Sequence, residues 1–171
     1  SHAYTIATTA ATHIYRNITI PAGQTSISLS FDWRGQGEFG FGTLYDGMKI
    51  WIVPAAYTPA YGTAITATGA APTGRIQIGD VNGYSTQATW MNSNVTIPAA
   101  YAGTSVRLVF EWINDNVDGT QPPIAIDNIS LVSQVPVVPS NNECTSAVAL
   151  RVNSGLTCTT STSGTTVLAT Q

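Results

Sequence analysis

The stretch NVTIPAAYAGTSVRLVFEW (94–112) decides the fold, and it has an earlier counterpart in NITIPAGQTSISLSFDW (17–33). Each copy contains a strand-like segment, a turn, a second strand-like segment, an acidic residue and a Trp. In the second segment of the earlier copy, Ile27, Leu29 and Phe31 alternate with polar residues. Alternation with a period of two predicts a β-strand with one face on a core. We therefore predict two equivalent strand–turn–strand units inside one β-sandwich.

The composition of the chain is typical of an extracellular β module. Only 9% of its 171 residues are charged, against roughly 25% in an ordinary domain, and it has 15 Gly and 9 Pro. A net charge of −3 without a Lys/Arg cluster argues against a nucleic-acid partner and against an anionic membrane surface. No apolar run approaches the ~20 residues of a membrane helix, so we expect no membrane insertion. Without an initial Met or a visible signal peptide, we interpret the chain as a mature or excised fragment.

The sequence divides into a domain, a linker and a remainder. Residues 1–132 carry the alternating segments and are predicted to form an all-β sandwich of two antiparallel sheets. Residues 133–140, SQVPVVPS, have the composition of a stiff linker. Residues 141–171 are too short for a core of their own, and either begin a second β module or pack back on the first domain. The strands are predicted at 13–20, 26–33, 48–53, 75–79, 87–97, 105–113 and 124–132.

The last predicted strand changes its pattern halfway along. Ile124 and Ile126 fall on one face by alternation, whereas Ile129 and Leu131 fall on the other. Either both faces are covered, or a β-bulge lies at Asp127-Asn128. Bulges often re-aim side chains at functional sites.

Two groups of short motifs resemble known families. The segments LVFEW (108–112) and IAIDNISL (124–131) resemble the end of MAM-type jelly-roll domains, although Asn128 stands where that family has a second Asp. LSFDW (29–33) and WIVP (51–54) resemble jelly-roll modules of large secreted surface proteins of Bacteroidota, and the tail from residue 141 resembles a second module of those proteins. The resemblance implies a jelly-roll fold, secretion to the cell surface through the type IX route, and a role as an adhesin or glycan-binding module.

Candidate catalytic residues are few. His2 and His13 have no accompanying Ser/Asp or Cys arrangement. Asp32 and Glu111 could be imagined as a glycosidase pair. Because they occupy equivalent positions in the two repeated units, a structural role is the better interpretation, with strand-end contacts or Arg partners. We predict that the protein is not an enzyme.

Calcium is the predicted cofactor. Jelly rolls of the family that the chain resembles often hold a structural Ca²⁺ through the Asp of the last strand, which is Asp127 here. Glu38 and Asp46, in a Gly-rich segment between strands, could complete an oxygen shell, and Asp115 and Asp118 are a second choice. The alternative is that Asp127 accepts backbone N–H bonds at a bulge without a metal.

Aromatic and cysteine side chains supply the remaining candidates. A glycan platform needs exposed rings, for which Trp51 is the first choice and Tyr57 and Tyr61 lie in a following connection. The alternative is that Trp51 belongs to the core of a two-sided sheet. Cys144 and Cys158 could form a disulfide in an oxidising compartment, or remain free thiols.

The sequence therefore favours a non-catalytic adhesion or ligand-binding module of a large secreted protein. Its expected partners are surface glycans, other surface proteins and neighbouring modules of the same chain. Two alternatives stay open: a carbohydrate-binding module of a secreted hydrolase, and a structural spacer in a surface filament.

Overall fold

The computed structural model describes residues 3–69, 72–138 and 145. The chain divides into two compact units, residues 1–134 and residues 135–171. All the strands described below belong to the first unit. Apart from residue 145, the predicted β segment at 141–171, with Cys144 and Cys158, lies outside the described residues.

Eight strands and one short 3₁₀ turn make up the first unit, and no α-helix occurs among the described residues. The predicted strands are present, and each of the two repeated units supplies two of them. The strands are β1 (Ala10–Thr19), β2 (Ser26–Gly35), β3 (Glu38–Gly40), β4 (Thr43–Pro54), β5 (Ile76–Ile78), β6 (Gln87–Thr96), β7 (Ser105–Asn114) and β8 (Ala125–Gln134).

The strands form two antiparallel sheets, which confirms the predicted all-β sandwich. The five-stranded sheet has the order β1-β7-β4-β3, with β5 also paired to β4, and the three-stranded sheet has the order β6-β2-β8. The chain passes from one sheet to the other between β1 and β2, between β2 and β3, and at each connection from β5 to β8. The chain therefore alternates between the two sheets and does not complete one sheet before it begins the other.

Alternating apolar residues from both sheets fill the space between them. Phe31 of β2 meets Phe110 of β7 edge to face, with ring centroids 5.5 Å apart. Tyr84 packs against Phe31 and Trp33 in the same way. Ile27, Leu29 and Phe31, which alternation places on one face, share this core with Val106, Leu108 and Phe110.

The other face of the five-stranded sheet is also covered. Trp51, Val53 and Val109 point away from the main core, and Ile65, from the long connection after β4, packs on them in a second buried cluster. The carboxylate of Glu111 is fully buried there and holds the connection by hydrogen bonds. The five-stranded sheet is therefore two-sided at its centre.

Two segments differ from the sequence prediction. The segment 34–47, predicted as one long Gly-rich loop, contains the β3–β4 hairpin, which turns at Phe41 and Gly42, both with positive φ. The last strand extends to Gln134, two residues beyond the predicted end at Val132, because its pairing with β2 continues to Ser26.

Of the two explanations offered for the change of pattern in the last strand, the β-bulge is present. The pairing of β8 with β2 shifts between Ser30 and Asp32 of β2, opposite the segment that contains Asp127 and Asn128. Asn128 has a φ of 50°, in the left-handed region that Asn tolerates better than most residues. The extra residue explains why the apolar alternation of the sequence changes there.

Candidate functional site

The outer face of the three-stranded sheet is polar and solvent-exposed. Because side chains alternate along a strand, the residues between the core positions of β2, β6 and β8 point outward. We call this surface the polar face and define it by the outward side chains at its centre: Asp32, Arg34, Trp90, Asn92, Asn94 and Asn128.

Four of these side chains form a hydrogen-bonded ladder across the sheet. The side-chain amide of Asn94 donates to Oδ1 of Asn92 over 2.9 Å. Asn92 donates to Oδ1 of Asp32 over 2.8 Å, and Asn128 donates to Oδ2 of Asp32 over 2.7 Å. The carboxylate of Asp32, on the central strand, thus receives one amide from each neighbouring strand. The ladder fixes the rotamers of three exposed Asn side chains and of the half-buried Asp32.

The ladder depends on the bulge in β8. Asp32 lies directly opposite Asp127 in the pairing of the two strands, an arrangement that would place two carboxylates side by side. At the bulge, Asn128 adopts a left-handed backbone conformation, and its side-chain amide donates to Asp32. Hydrogen bonds from Asn128 and then Asn92 lower the pKa of Asp32, because both stabilise the ionised form.

Trp90 gives the polar face its aromatic side chain. It lies on β6 two residues before Asn92, on the same side of the strand, and 47% of its surface is exposed. The guanidinium of Arg34 lies 4.9 Å from the centre of its ring, in a cation–π contact. The half-exposed ring of Trp90 therefore lies beside the ladder, in contact with Arg34 of the neighbouring strand β2.

The predicted calcium ligands do not come together. Asp127 is exposed, and its Oδ1 accepts the backbone N–H of Asn128 over 2.7 Å. Within the part of the chain that the structure describes, no group of three or more Asp, Glu, His or Cys side chains could hold a metal ion. Asp127, Glu38 and Asp46 therefore do not form one cluster in the described part of the chain, and Asp127 accepts a backbone hydrogen bond at the bulge.

Glu38 and Asp46 do lie together, directly opposite each other in the β3–β4 hairpin. Asp46 is fully buried; its Oδ2 accepts the hydroxyl of Tyr4 over 2.6 Å, and its Oδ1 accepts the backbone N–H of Asp115 over 3.0 Å. Burial raises the pKa of Asp46, and the hydrogen bonds offset this only in part. This carboxylate ties the N-terminal segment and the β7–β8 loop to the hairpin.

The carboxylate of Glu38, opposite Asp46, has fewer hydrogen-bond partners. Oε2 of Glu38 is shielded from solvent and has no hydrogen-bond partner among the described residues. Its desolvation raises the pKa of Glu38, and the negative charges of Asp115, Asp118 and Asp46 raise it further. The hairpin thus holds one carboxylate in an unfavourable environment at neutral pH.

The predicted aromatic platform is not formed. Trp51 is 1% exposed, and its indole N–H donates to Oε2 of Glu111 over 2.7 Å, so it offers no ring to a ligand. Tyr57 is partly buried against the same cluster. Tyr61 is exposed but lies elsewhere, in a cleft of about 400 Å³ that Trp112 also lines. The platform is absent because the long connection after β4 covers the face of the sheet on which Trp51 lies.

Asp32 and Glu111 cannot act as a glycosidase pair. Each alternates with core residues of its own strand, so the two carboxylates point outward on opposite sheets of the sandwich. Glu111 accepts hydrogen bonds from Trp51, from the backbone N–H of Ile65 and from His13, and the ladder described above binds Asp32. Their partners are therefore Trp, His, Asn and backbone groups rather than the Arg side chains expected from the sequence.

A scan against protein-family models and a search of curated proteins found no match to this chain. Among the described residues, no helix is long and apolar enough to cross a membrane.

Sequence reasoning missed the polar face, although a signal for it exists. In the segment 87–96, Trp90 alternates in phase with Asn92, Asn94 and Thr96, opposite the phase of the core residue Val95. A Trp in the polar phase of an amphipathic strand is predicted to face solvent. The hydrogen bonds to Asp32 could not be read in the same way, because they depend on which strands are neighbours.

Proposed function

We propose that the chain is a non-catalytic ligand-binding module of a secreted surface protein, and that it binds a glycan on the polar face. The observation that carries the proposal is the ladder of Asp32, Asn92, Asn94 and Asn128 beside the half-exposed ring of Trp90. Binding sites combine apolar or aromatic surface with a small number of precisely placed polar groups. A sugar presents both hydroxyl groups and an apolar C–H face, which match such a surface.

The ladder also supports the proposal energetically. Ordering a flexible polar side chain on binding costs about 0.5–1.5 kcal/mol, and the mutual hydrogen bonds of Asp32, Asn92 and Asn128 have already ordered these groups. A carboxylate has about four lone-pair sites, of which the ladder uses two at Asp32. Acceptor capacity for sugar hydroxyls therefore remains on the central strand.

Other features support a secreted, non-catalytic role. Three carboxylates, those of Glu111, Asp46 and Asp32, are engaged in structural contacts. The low charge content is typical of extracellular β modules, and the resemblance to jelly-roll modules of secreted surface proteins points the same way. Whether the glycan-binding module serves adhesion or accompanies a hydrolase depends on the protein in which it occurs.

A glycan panel tests the proposal. The wild-type chain is expected to bind at least one class of immobilised glycan, and Trp90→Ala is expected to weaken that binding by about 2 kcal/mol, or roughly thirtyfold, as for an aromatic hot spot. Phe41→Ala is the matched control, because Phe41 is fully exposed at the turn of the β3–β4 hairpin and lies outside the polar face. No binding to any glycan, or equal loss in both variants, would refute the proposal.

A further inference from the structure

One side of the sandwich is open. Apart from the β3 extension, four strands in the order β1-β7-β4-β5 face only three, in the order β6-β2-β8. The two facing sheets thus differ in width by one strand. The position beside β8, facing the edge strand β1, therefore has no strand among the described residues.

Side chains that point into the sandwich are exposed along this side. Ile14 lies directly opposite Phe110, and Leu131 lies opposite Leu29, so both point toward the interior. Ile14 is nevertheless 66% exposed and Leu131 is 37% exposed, because the sheets end at β1 and β8. Ile129, two residues before Leu131, is 49% exposed.

These residues line one groove, which we call the seam. It has a volume of about 650 Å³ and lies between β1 and β8. The seam shares Ile14 and Phe110 with the cleft that contains Tyr61, so the two depressions adjoin each other. The ten residues of β8 correspond to roughly 33 Å of extended chain. The shape and length of the seam suit an extended strand better than a compact ligand.

Beyond its bulge, the edge of β8 beside the seam lacks charged residues and Pro. Edge strands are commonly protected by charged residues or Pro. From Ile129 to Gln134, β8 has neither. Among the described residues, β8 pairs only with β2, so its other backbone edge can accept a further strand.

The positive charge of Arg16 in the seam restricts which strand could bind there. Arg16 lies directly opposite Leu108 and points to the same side as Ile14. It lines the seam and is exposed, and no carboxylate lies within salt-bridge distance of it among the described residues. A strand that fills the seam should therefore carry apolar residues in alternate positions and an acidic residue opposite Arg16.

We infer that the seam is an acceptor site for a β-strand of a partner polypeptide, which pairs antiparallel with β8 and places apolar residues and one carboxylate against the interior. Addition of a strand to an exposed sheet edge is a common mode of peptide recognition, in which main-chain hydrogen bonds give affinity and side-chain pockets give specificity. This inference does not depend on glycan binding, because the seam faces the interior of the sandwich and the polar face lies on the outside.

The test uses the full chain and a fluorescently labelled ten-residue peptide in which valine alternates with threonine and one central valine is replaced by glutamate. Fluorescence anisotropy is expected to show saturable binding, and amide hydrogen exchange is expected to slow in β8. A peptide with proline at its centre is the control for main-chain pairing, and it should bind more than tenfold more weakly.

Reversal of the charges at position 16 and in the peptide tests whether the bound strand places its carboxylate opposite Arg16. Arg16→Glu should weaken binding of the glutamate peptide about fivefold and should strengthen binding of a peptide with lysine in that position. Leu131→Lys should weaken both peptides more than tenfold, whereas Val132→Lys, opposite the outward Ser28, should change affinity less than twofold. The comparison of the glutamate and lysine peptides on Arg16→Glu keeps the test valid if Leu131→Lys unfolds the protein.

Three outcomes would overturn the inference. The first is no binding of any peptide to the wild-type chain. The second is binding that is insensitive to both Arg16→Glu and the central proline. The third is self-association of the wild-type chain in sedimentation experiments that Leu131→Lys abolishes, which would assign the seam to a second copy of the chain.

Discussion

The indole N–H of Trp51 donates to Oε2 of Glu111 over 2.7 Å, and both side chains are fully buried on the outer side of the five-stranded sheet. The same carboxylate accepts the backbone N–H of Ile65 over 2.5 Å and contacts Nε2 of His13 at 3.1 Å. One side chain therefore joins β1, β4, β7 and the long connection after β4. This contact converts an exposed sheet face into a second core.

Glu111→Ala is expected to destabilise the fold strongly. The variant leaves the donors of Trp51 and Ile65 buried without an acceptor, and removal of one partner from such a buried set costs about 3–5 kcal/mol. Urea unfolding measures the change. Asp118→Ala, at an exposed acid, is the control and should stay within about 0.5 kcal/mol of wild type. Equal stability of Glu111→Ala and wild type would show that the connection is not held by this carboxylate.

The main core gives a second prediction. Phe110 is buried and contacts Phe31 edge to face. Phe110→Ala should lower the free energy of unfolding by about 3–5 kcal/mol through lost contacts and a cavity. Phe41→Ala removes the same group from a fully exposed position and should be nearly neutral. Similar losses in both variants would contradict the predicted sandwich core.

The sequence predicted the core because alternation alone assigns residues to faces. It also offered a bulge at Asp127-Asn128 as one of two explanations for the change in the phase of the alternation, and the bulge is present. Alternation likewise placed Trp51 on the face opposite Met48, Ile50 and Ile52. It could not show that this face is covered, because the cover comes from Ile65 in a connection without regular periodicity.

The site was harder to predict than the core. Asp127 and Glu38 are both acidic and both near turns, but their proximity depends on strand order, which the sequence does not encode locally. The ladder to Asp32 likewise requires β6 and β8 to lie on either side of β2. Residues that meet only through topology are therefore the ones that sequence reasoning missed.

The pKa of Glu38 predicts a pH dependence. Because its folded pKa is raised above the ordinary value of 4.5, the folded state keeps a proton that the unfolded state has released. Stability should therefore fall as pH rises from about 4.5 through the folded pKa, and then level off for this group. Glu38→Gln should flatten this part of the melting-temperature profile and raise the melting temperature at neutral pH. An unchanged profile would mean that Glu38 is not destabilised in the folded state.

Calcium remains a prediction, now restricted to the Glu38–Asp46 pair. A cation there would relieve the repulsion among the carboxylates and would stabilise the folded state by about 2.7 kcal/mol at a hundredfold excess over Kd. The melting temperatures in calcium and in EDTA measure this stabilisation. Glu38→Gln should remove the response, whereas Asp127→Ala should keep it. Identical melting of the wild type in both conditions, with no metal in elemental analysis, would exclude the site.

The most direct test of ligand binding at the polar face is a titration of the ¹⁵N-labelled chain with the glycan that binds best in the panel. The four Trp residues give separate indole signals, and the Asn side chains give amide signals. We predict that the indole signal of Trp90 and the side-chain amides of Asn92, Asn94 and Asn128 shift with one common Kd, while the indole of buried Trp51 does not move. Shifts confined to Trp112 and the cleft of Tyr61, or no shifts at all, would contradict the account.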